Sequence, residues 1–182
     1  MVENSLKNIG ILGGSFDPPH KGHLYLSKQS LKRLKLKKVI WAITRKNPLK
    51  KKPYFSLTLR KKMCRKIING NANIELKHYE DKLKSNTSLD LVKFLKKNSN
   101  YRIFFIIGSD NLINFHKWKG YKDLLKMSNL VVFSRKGFDT KAKKSVIMKH
   151  LKQKNIQFVN NLKINISSTE LRNKFINGNK KN

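Results

Sequence analysis

The sequence predicts a single α/β domain, a Rossmann-like doubly wound parallel sheet with helices on both faces. Three observations carry this reading. Short apolar runs alternate with segments of helical spacing along the chain, the pattern of strand–helix–strand units. One run, Ile103 to Ile107 (IFFII), is apolar at every position, as befits a strand covered on both faces. The 182 residues suit one domain with a sizeable core, here residues 1–182 with 177–182 as a fraying tail.

Taken in order, Ile9 to Leu12 is a buried strand, and the turn-forming Asp17, Pro18 and Pro19 precede a helix from Gly22 to about Lys35. Val39 to Thr44 (VIWAIT) is a second strand. Arg45 to Pro53 is a loop, because Pro48 and Pro53 discourage both helix and strand. Ser56 to Asn69 carries Leu57, Leu59, Met63, Ile67 and Ile68 at helical spacing, with basic residues between. Ile74 to Tyr79 alternates as a third strand does. Ser88 to Lys97 is a helix with Leu89, Val92 and Leu95 on one side. After IFFII come a short helix at Tyr121 to Met127, a strand at Leu130 to Ser134 and a helix at Lys141 to Lys152. A short strand at Ile156 to Val159 and a terminal helix at Ser168 to Ile176 complete the chain. No internal repeat is visible.

The segment richest in chemistry is GGSFDPPHKGHL, residues 13 to 24. It joins the first strand to the first helix. Backbone N–H groups of Gly13, Gly14 and Ser15, with the positive end of a helix dipole, make an anion site whose usual occupant is phosphate. His20 and His23 stand three apart; one helical turn sets such residues on one face. The glycines also suit a plain tight turn. Two imidazoles aimed at a phosphate cradle are the stronger reading. At the other end, Ser167 and Glu170 form a capping box. That helix start offers N–H groups and the hydroxyls of Ser167, Ser168 and Thr169 to an anion, and Arg172 lies within reach to grip a phosphate with two parallel bonds.

GGSFDPPHKGHL resembles the nucleotidyltransferase superfamily signature, His/Thr-x-Gly-His after the first strand. More narrowly it resembles bacterial nicotinate-nucleotide adenylyltransferases. GSDNLINFHKW, residues 108 to 118, and ISSTELR, residues 166 to 172, are similar to two further blocks of that family, in the same order. The resemblance implies transfer of AMP from ATP to nicotinate mononucleotide, with His20 and His23 as catalytic residues and Mg²⁺ arriving with ATP. ATP would be held by Gly13, Gly14, Ser15, Phe16, Gly108, Asp110, Ser167, Ser168, Thr169 and Arg172, with Asp110 near the ribose. Trp118 would stack on the pyridine ring, with Lys119 near its carboxylate. Ser88 stands where the family has a Thr in a Tyr-Thr-x-Asp-Thr pattern from which this chain departs at two further positions. Asn47 and Lys50 would reach substrate from the loop after the second strand. Related enzymes acting on nicotinamide mononucleotide or phosphopantetheine stay open as alternatives, although the latter typically have Thr where His20 stands.

A formal net charge of +32 raises a reading from another class, a basic nucleic-acid-binding module. The basic residues are 35 Lys against 7 Arg, spread along the chain, and Lys shares A/T-rich codons with the 20 Asn and 16 Ile. Composition of an AT-rich genome accounts for such a bias without a specific nucleic-acid partner. Cys64, the single cysteine, excludes an intrachain disulfide and a Cys-based metal site and suits a cytoplasmic protein. No apolar run approaches the roughly 20 residues that span a bilayer, and MVENSLKN lacks the apolar core of a secretory signal. Monomer and homodimer are equally compatible with the sequence.

Overall fold

The computed structural model describes residues 6–50, 52–150, 156–160 and 167–178. Six strands form one sheet: β1 (Lys7–Gly14), β2 (Lys38–Ile43), β3 (Ile74–Lys77), β4 (Tyr101–Gly108), β5 (Asn129–Phe133) and β6 (Ile156–Val159). Their order is β3-β2-β1-β4-β5-β6, and every pairing is parallel. The strand sequence reverses direction between β1 and β4. Such a switch point leaves a crevice beyond the carboxyl ends of the strands, where α/β sheets bind ligands.

Side-chain alternation splits the core into two layers. Ile9 and Ile11 of β1, Ile103, Phe105 and Ile107 of β4, and Leu130 and Val132 of β5 share one face. Against them pack α4 (Ser88–Lys97) through Leu91, Val92 and Leu95, and α6 (Tyr121–Met127) through Leu124 and Leu125. The opposite face carries Leu12, Val39, Trp41, Ile43, Phe104 and Ile106. It is covered by α1 (Lys21–Arg33) and by α2 (Leu57–Ile68), whose Cys64 is fully buried. A strand buried on both faces must be apolar at every position, which is why IFFII reads as it does.

Local chemistry sets several boundaries. Ser56 caps α2 by accepting the Leu59 N–H at 3.2 Å, and Thr87 caps α4 by accepting that of Asp90 at 3.1 Å. The capping box opens α9 (Ser168–Gly178): Glu170 N–H donates to Ser167 Oγ at 3.1 Å, and Ser167 N–H to Glu170 Oε2 at 3.2 Å.

The structure departs from the sequence reading in places. β1 runs through Gly13 and Gly14, which pair with Ala42 and Ile43 of β2, so the turn itself begins at Ser15. The first helix starts at Lys21, leaving His20 as its extended N-cap (φ −151°). Short helices α3 (Glu80–Leu83) and α5 (Ser109–Leu112) and a 3₁₀ turn at Phe115–Lys117 were not expected. In place of one helix from Lys141, α7 (Asp139–Lys143) and α8 (Val146–His150) flank Ser145. Ala142 and Ile147 are both buried; five residues apart, they would point to different sides of a continuous helix, and the break brings both inward. The expected helical residues 151–152 and the tail residues 179–182 lie outside the described residues, as does Ile166; Asn177 belongs to α9.

Candidate active site

A cavity of about 590 Å³ opens at the switch point. The ends of β1, β2, β4 and β5 and the starts of α1, α4 and α9 wall it. Gly13, Gly14, Ser15 and Phe16 line it from β1 and the turn beyond, His20 and His23 from α1, and Gly108 and Asp110 from β4 and α5. Asn47 and Lys50 reach it from the loop after β2, Ser88 from α4, Trp118 and Lys119 from the segment before α6, and Ser168, Thr169 and Arg172 from α9. Of the catalytic, ATP-binding and substrate-binding residues expected from sequence, Ser167 alone is not on the wall; it caps α9.

The two imidazoles meet by a route other than a helical turn. As N-cap, His20 donates its backbone N–H to His23 Nδ1 at 3.2 Å, and the ring centroids sit 3.8 Å apart. A ring nitrogen that accepts a hydrogen bond leaves the proton on the other nitrogen, so His23 presents Nε2–H as a donor. Phe16, itself 2% exposed with φ +47°, backs His23 at 4.9 Å and stacks on Trp41 at 4.8 Å. Trp41 Nε1 donates to Ser27 Oγ at 2.7 Å, which donates to the His23 carbonyl at 2.9 Å. Burial, then the Arg135 charge, holds the His20 pKa down at about 4, against a raising pull from Glu170. His23 is held well below its ordinary value by burial and then by His20 and Arg135. Both rings are therefore neutral hydrogen-bond donors at neutral pH.

Polar contacts, most of them half-buried, weld the surrounding loops together. Ser168 Oγ donates to the Pro18 carbonyl at 2.9 Å, and Arg172 donates to the Asp17 carbonyl and to Thr169 Oγ1. The Asp17 carboxylate accepts the N–H groups of Tyr54 and Phe55 at 2.9 Å each. Arg60, 2% exposed, donates to the carbonyls of Ser15, Thr44, Arg45 and Phe55. The N-termini of α1 and α9 are thereby held toward one space, so two sets of free N–H groups face it.

At the far end, Ser88 is the first residue of α4 and Thr87 its cap. Trp118 packs against Phe115 at 4.9 Å and Phe105 at 6.0 Å while also lining the cavity. Gly120 (φ +68°) closes this corner: a Cβ there would lie 2.4 Å from Leu89 Cδ2, so only glycine lets the Trp118–Lys119 segment approach α4 this closely. In the loop after β2, Asn47 Oδ1 is occupied by the Leu49 N–H at 2.9 Å. Glu80 of α3 tethers that loop by accepting from Thr44 Oγ1 and from the Arg45 N–H.

Sequence reasoning missed Arg60 and Arg135, and read Asp17 as a turn former alone. Arg135 follows β5 at the carboxyl edge of the sheet, on the cavity wall. That position, shared with the other motifs, was the available signal.

A crevice at the switch point of this strand order, walled by two helix N-termini and a histidine pair, belongs to a nucleotide-handling α/β domain. Comparison with known proteins agrees. Residues 11–174 match the family described as cytidylyltransferase-like. A "Probable nicotinate-nucleotide adenylyltransferase" of Pelagibacter ubique is 48% identical over 174 residues, covering 93% of this chain and 97% of that one. Another so named, from Clostridium tetani, is 36% identical over 180 residues, covering 95% and 89%. Among solved structures, the Plasmodium falciparum nicotinic acid mononucleotide adenylyltransferase complexed with NaAD superposes with a TM-score of 0.72 at 26% identity, covering 92% of this chain and 83% of that one. The chain belongs to the cytidylyltransferase-like nucleotidyltransferases and, within them, to the nicotinate-nucleotide adenylyltransferase family.

Proposed function

We propose that the protein transfers AMP from ATP to nicotinate mononucleotide, forming nicotinate adenine dinucleotide and pyrophosphate. The observation that carries this reading is the pair of neutral imidazoles, 3.8 Å apart, between two helix N-termini in a nucleotide-sized cavity. A phosphate oxygen of the mononucleotide attacks the α-phosphorus of ATP in line. One P–O bond forms as the bond to the β-phosphate breaks, and pyrophosphate leaves with the electron pair. No covalent intermediate is required. Both reactants are anionic, so the barrier is one of positioning and charge, and catalysis consists of orientation and stabilisation of the developing negative charge. His23 Nε2–H and the His20 ring donate to the phosphates. Gly13 to Phe16 and the start of α9, with Thr169 and Arg172, hold the triphosphate.

Asp110 and Glu80 are the carboxylates on the cavity wall among the described residues, and both Glu80 oxygens accept hydrogen bonds from Thr44 and Arg45. With Asp110 paired to Arg135, these carboxylates form no dedicated metal cage, and a Mg²⁺ would arrive on the phosphates of ATP, which would supply its ligands. When bound, the ion supplies charge neutralisation at the phosphates. The fully buried thiol of Cys64 supports a cytoplasmic setting. No helix of the described residues is long and apolar enough to cross a membrane.

The pyridine carboxylate faces the N-terminus of α4 at Ser88, close to Lys119, with Trp118 against the ring. Backbone N–H donors suit a carboxylate fully. Facing the amide of nicotinamide mononucleotide, they leave a buried NH₂ unpaired at a cost of about 1–3 kcal/mol. Pyrophosphate release from ATP with nicotinate mononucleotide, nicotinamide mononucleotide and phosphopantetheine tests the reading. The expected kcat/KM order puts nicotinate mononucleotide first by about 10-fold or more. A ratio near one, or favouring the amide, removes the carboxylate assignment, and a preference for phosphopantetheine removes the reading itself.

A further inference from the structure

The helix that delivers Ser168, Thr169 and Arg172 to the cavity is fastened along one stripe. Ser168, Arg172 and Phe175 stand at i, i+4 and i+7 of α9, a spacing that sets them on a single helical face. Ser168 and Arg172 hold the turn after β1 through the carbonyls of Pro18 and Asp17. One turn further on, the Phe175 ring meets Phe55 at 5.4 Å and Tyr54 at 6.2 Å, and those two rings meet each other at 4.8 Å. All three pairs are edge-on, at interplanar angles of 72° to 86°, which brings one ring's positive edge to its neighbour's negative face. The receiving side is fixed at its backbone. The Asp17 carboxylate accepts the N–H groups of Tyr54 and Phe55, and Arg60 holds the Phe55 carbonyl at 3.0 Å. No apolar side chain of α9 belongs to either core layer among the described residues. Tyr54 and Phe175 stay 50% and 49% exposed, and none of the three rings lines the cavity.

We propose that Phe175 is a positioning residue: clasped by Tyr54 and Phe55, it keeps α9 docked and so sets the affinity for the triphosphate of ATP without touching the nucleotide. This rests on the adenylyltransferase reading above. Arg172 Nη1 is engaged with Asp17, and Nη2 with Thr169 Oγ1 at 3.0 Å. A phosphate that draws this guanidinium takes donors from those bonds, and the polar end of the stripe then holds α9 less. The aromatic end gives up nothing to the ligand, so the clasp keeps the helix in place. An undocked α9 carries Thr169 and Arg172 away from the cavity, and apparent affinity falls in proportion to the docked fraction. Because the rings are half-exposed and outside both core layers, removing one opens no cavity in the core. The loss is confined to the docking of α9.

The test compares the wild type with Phe175→Ala, Phe175→Leu, Phe175→Tyr and Tyr54→Ala. Calorimetry reads the binding of ATP, inorganic tripolyphosphate and adenosine, and steady-state kinetics with nicotinate mononucleotide read kcat and both KM values. Phe175→Ala loses two edge-on contacts, so Kd and KM for ATP should rise about 5- to 50-fold, and Kd for tripolyphosphate by a similar factor. Adenosine binding, KM for nicotinate mononucleotide and kcat at saturating ATP should stay within about 3-fold of wild type. Tyr54→Ala shows a smaller rise of the same kind, Phe175→Leu falls between, and Phe175→Tyr, which keeps the ring, binds ATP as the wild type does. Hydrogen exchange across residues 168–178 should quicken in Phe175→Ala and slow again with ATP. Circular dichroism and thermal unfolding check the fold, and Phe175→Leu with Tyr54→Ala carries the comparison if Phe175→Ala does not fold. Unchanged binding of ATP and tripolyphosphate in the folded variants overturns the proposal. So does a loss confined to kcat or shared equally by adenosine, as a general loosening of the fold would give, and so does a Phe175→Tyr variant as weak as Phe175→Ala. A wild type that releases pyrophosphate with no mononucleotide sinks the adenylyltransferase reading instead, and tripolyphosphate binding then judges Phe175 by itself.

Discussion

Replacing Arg60 by methionine keeps a long unbranched side chain in the core and removes every hydrogen bond of the guanidinium. Nε donates to the Phe55 carbonyl at 3.0 Å, Nη1 to Thr44 at 2.9 Å and also to Ser15, and Nη2 to Arg45 at 2.9 Å. All four acceptors are backbone carbonyls, drawn from the turn after β1, the loop after β2 and the entry to α2. A hydrogen bond to a charged group contributes about 1.5–3 kcal/mol, but four such values overstate the loss. Methionine also relieves the cost of burying the charge, which pulls the Arg60 pKa below its ordinary value. Against that relief, carbonyls left without a donor where they are buried cost about 1–3 kcal/mol each, so the net loss is about 3–5 kcal/mol. At about 2–4 °C per kcal/mol for a chain of this size, Tm falls by roughly 6–20 °C. Thermal and urea unfolding read the stability, and kinetics below the variant's transition read the site. KM for both nucleotides should rise, because Ser15 and the Thr44–Lys50 loop lose their common tether. Arg60→Lys recovers part of the stability, since one ammonium cannot reach all four carbonyls. A Tm within about 3 °C of wild type with unchanged kinetics would refute the reasoning.

His20→Ala and His23→Ala should each lower turnover by about 10²–10³-fold, the range for one charge-stabilising donor, with less effect on ATP binding; near-normal turnover in a folded variant removes that role. The same two histidines make stability pH-dependent. Their folded pKa values lie below the ordinary 6.5, with His20 at about 4, so the unfolded chain takes up protons first. Their contribution is complete above pH 6.5 and is lost as pH falls toward 4; urea midpoints across that window should drop, and His20→Gln should flatten the drop. Trp118→Ala should raise KM for nicotinate and nicotinamide mononucleotides alike without reversing their order. Short duplex DNA at physiological salt should leave pyrophosphate release unchanged and bind weakly and with steep salt dependence, whereas a sequence-selective complex persisting at about 0.2 M salt would give the +32 charge a specific partner.

Much of this molecule is local. The Ser88–Lys97 and Tyr121–Met127 helices and the Ile156–Val159 strand stand where spacing and composition predict them. Ser56 and Asn69 bound α2 as its caps, because a cap is a contact between residues three or four apart and is written in adjacent letters. The turn, the histidine pair and the Ser167–Glu170 box are local in the same sense, and so the cavity's two anion-receiving ends were legible.

What sequence could not determine depends on partners far along the chain. The last two residues of β1 are strand because β2 pairs with Gly13 and Gly14 through Ala42 and Ile43. His20 and His23 converge through a cap in place of a helical turn. Glu80 sits 36 residues from Thr44, which donates to it, Arg60 45 residues from the Ser15 it holds, and Arg135 25 residues from Asp110. Each of these is one arginine among many basic residues, or a stray carboxylate, until the sheet closes. For Arg60, 2% exposed, burial then removes water as the competing partner and makes specific hydrogen bonds the way to satisfy the charge. Periodicity and caps made the elements, and the tertiary fold decided which distant charges meet at the cavity.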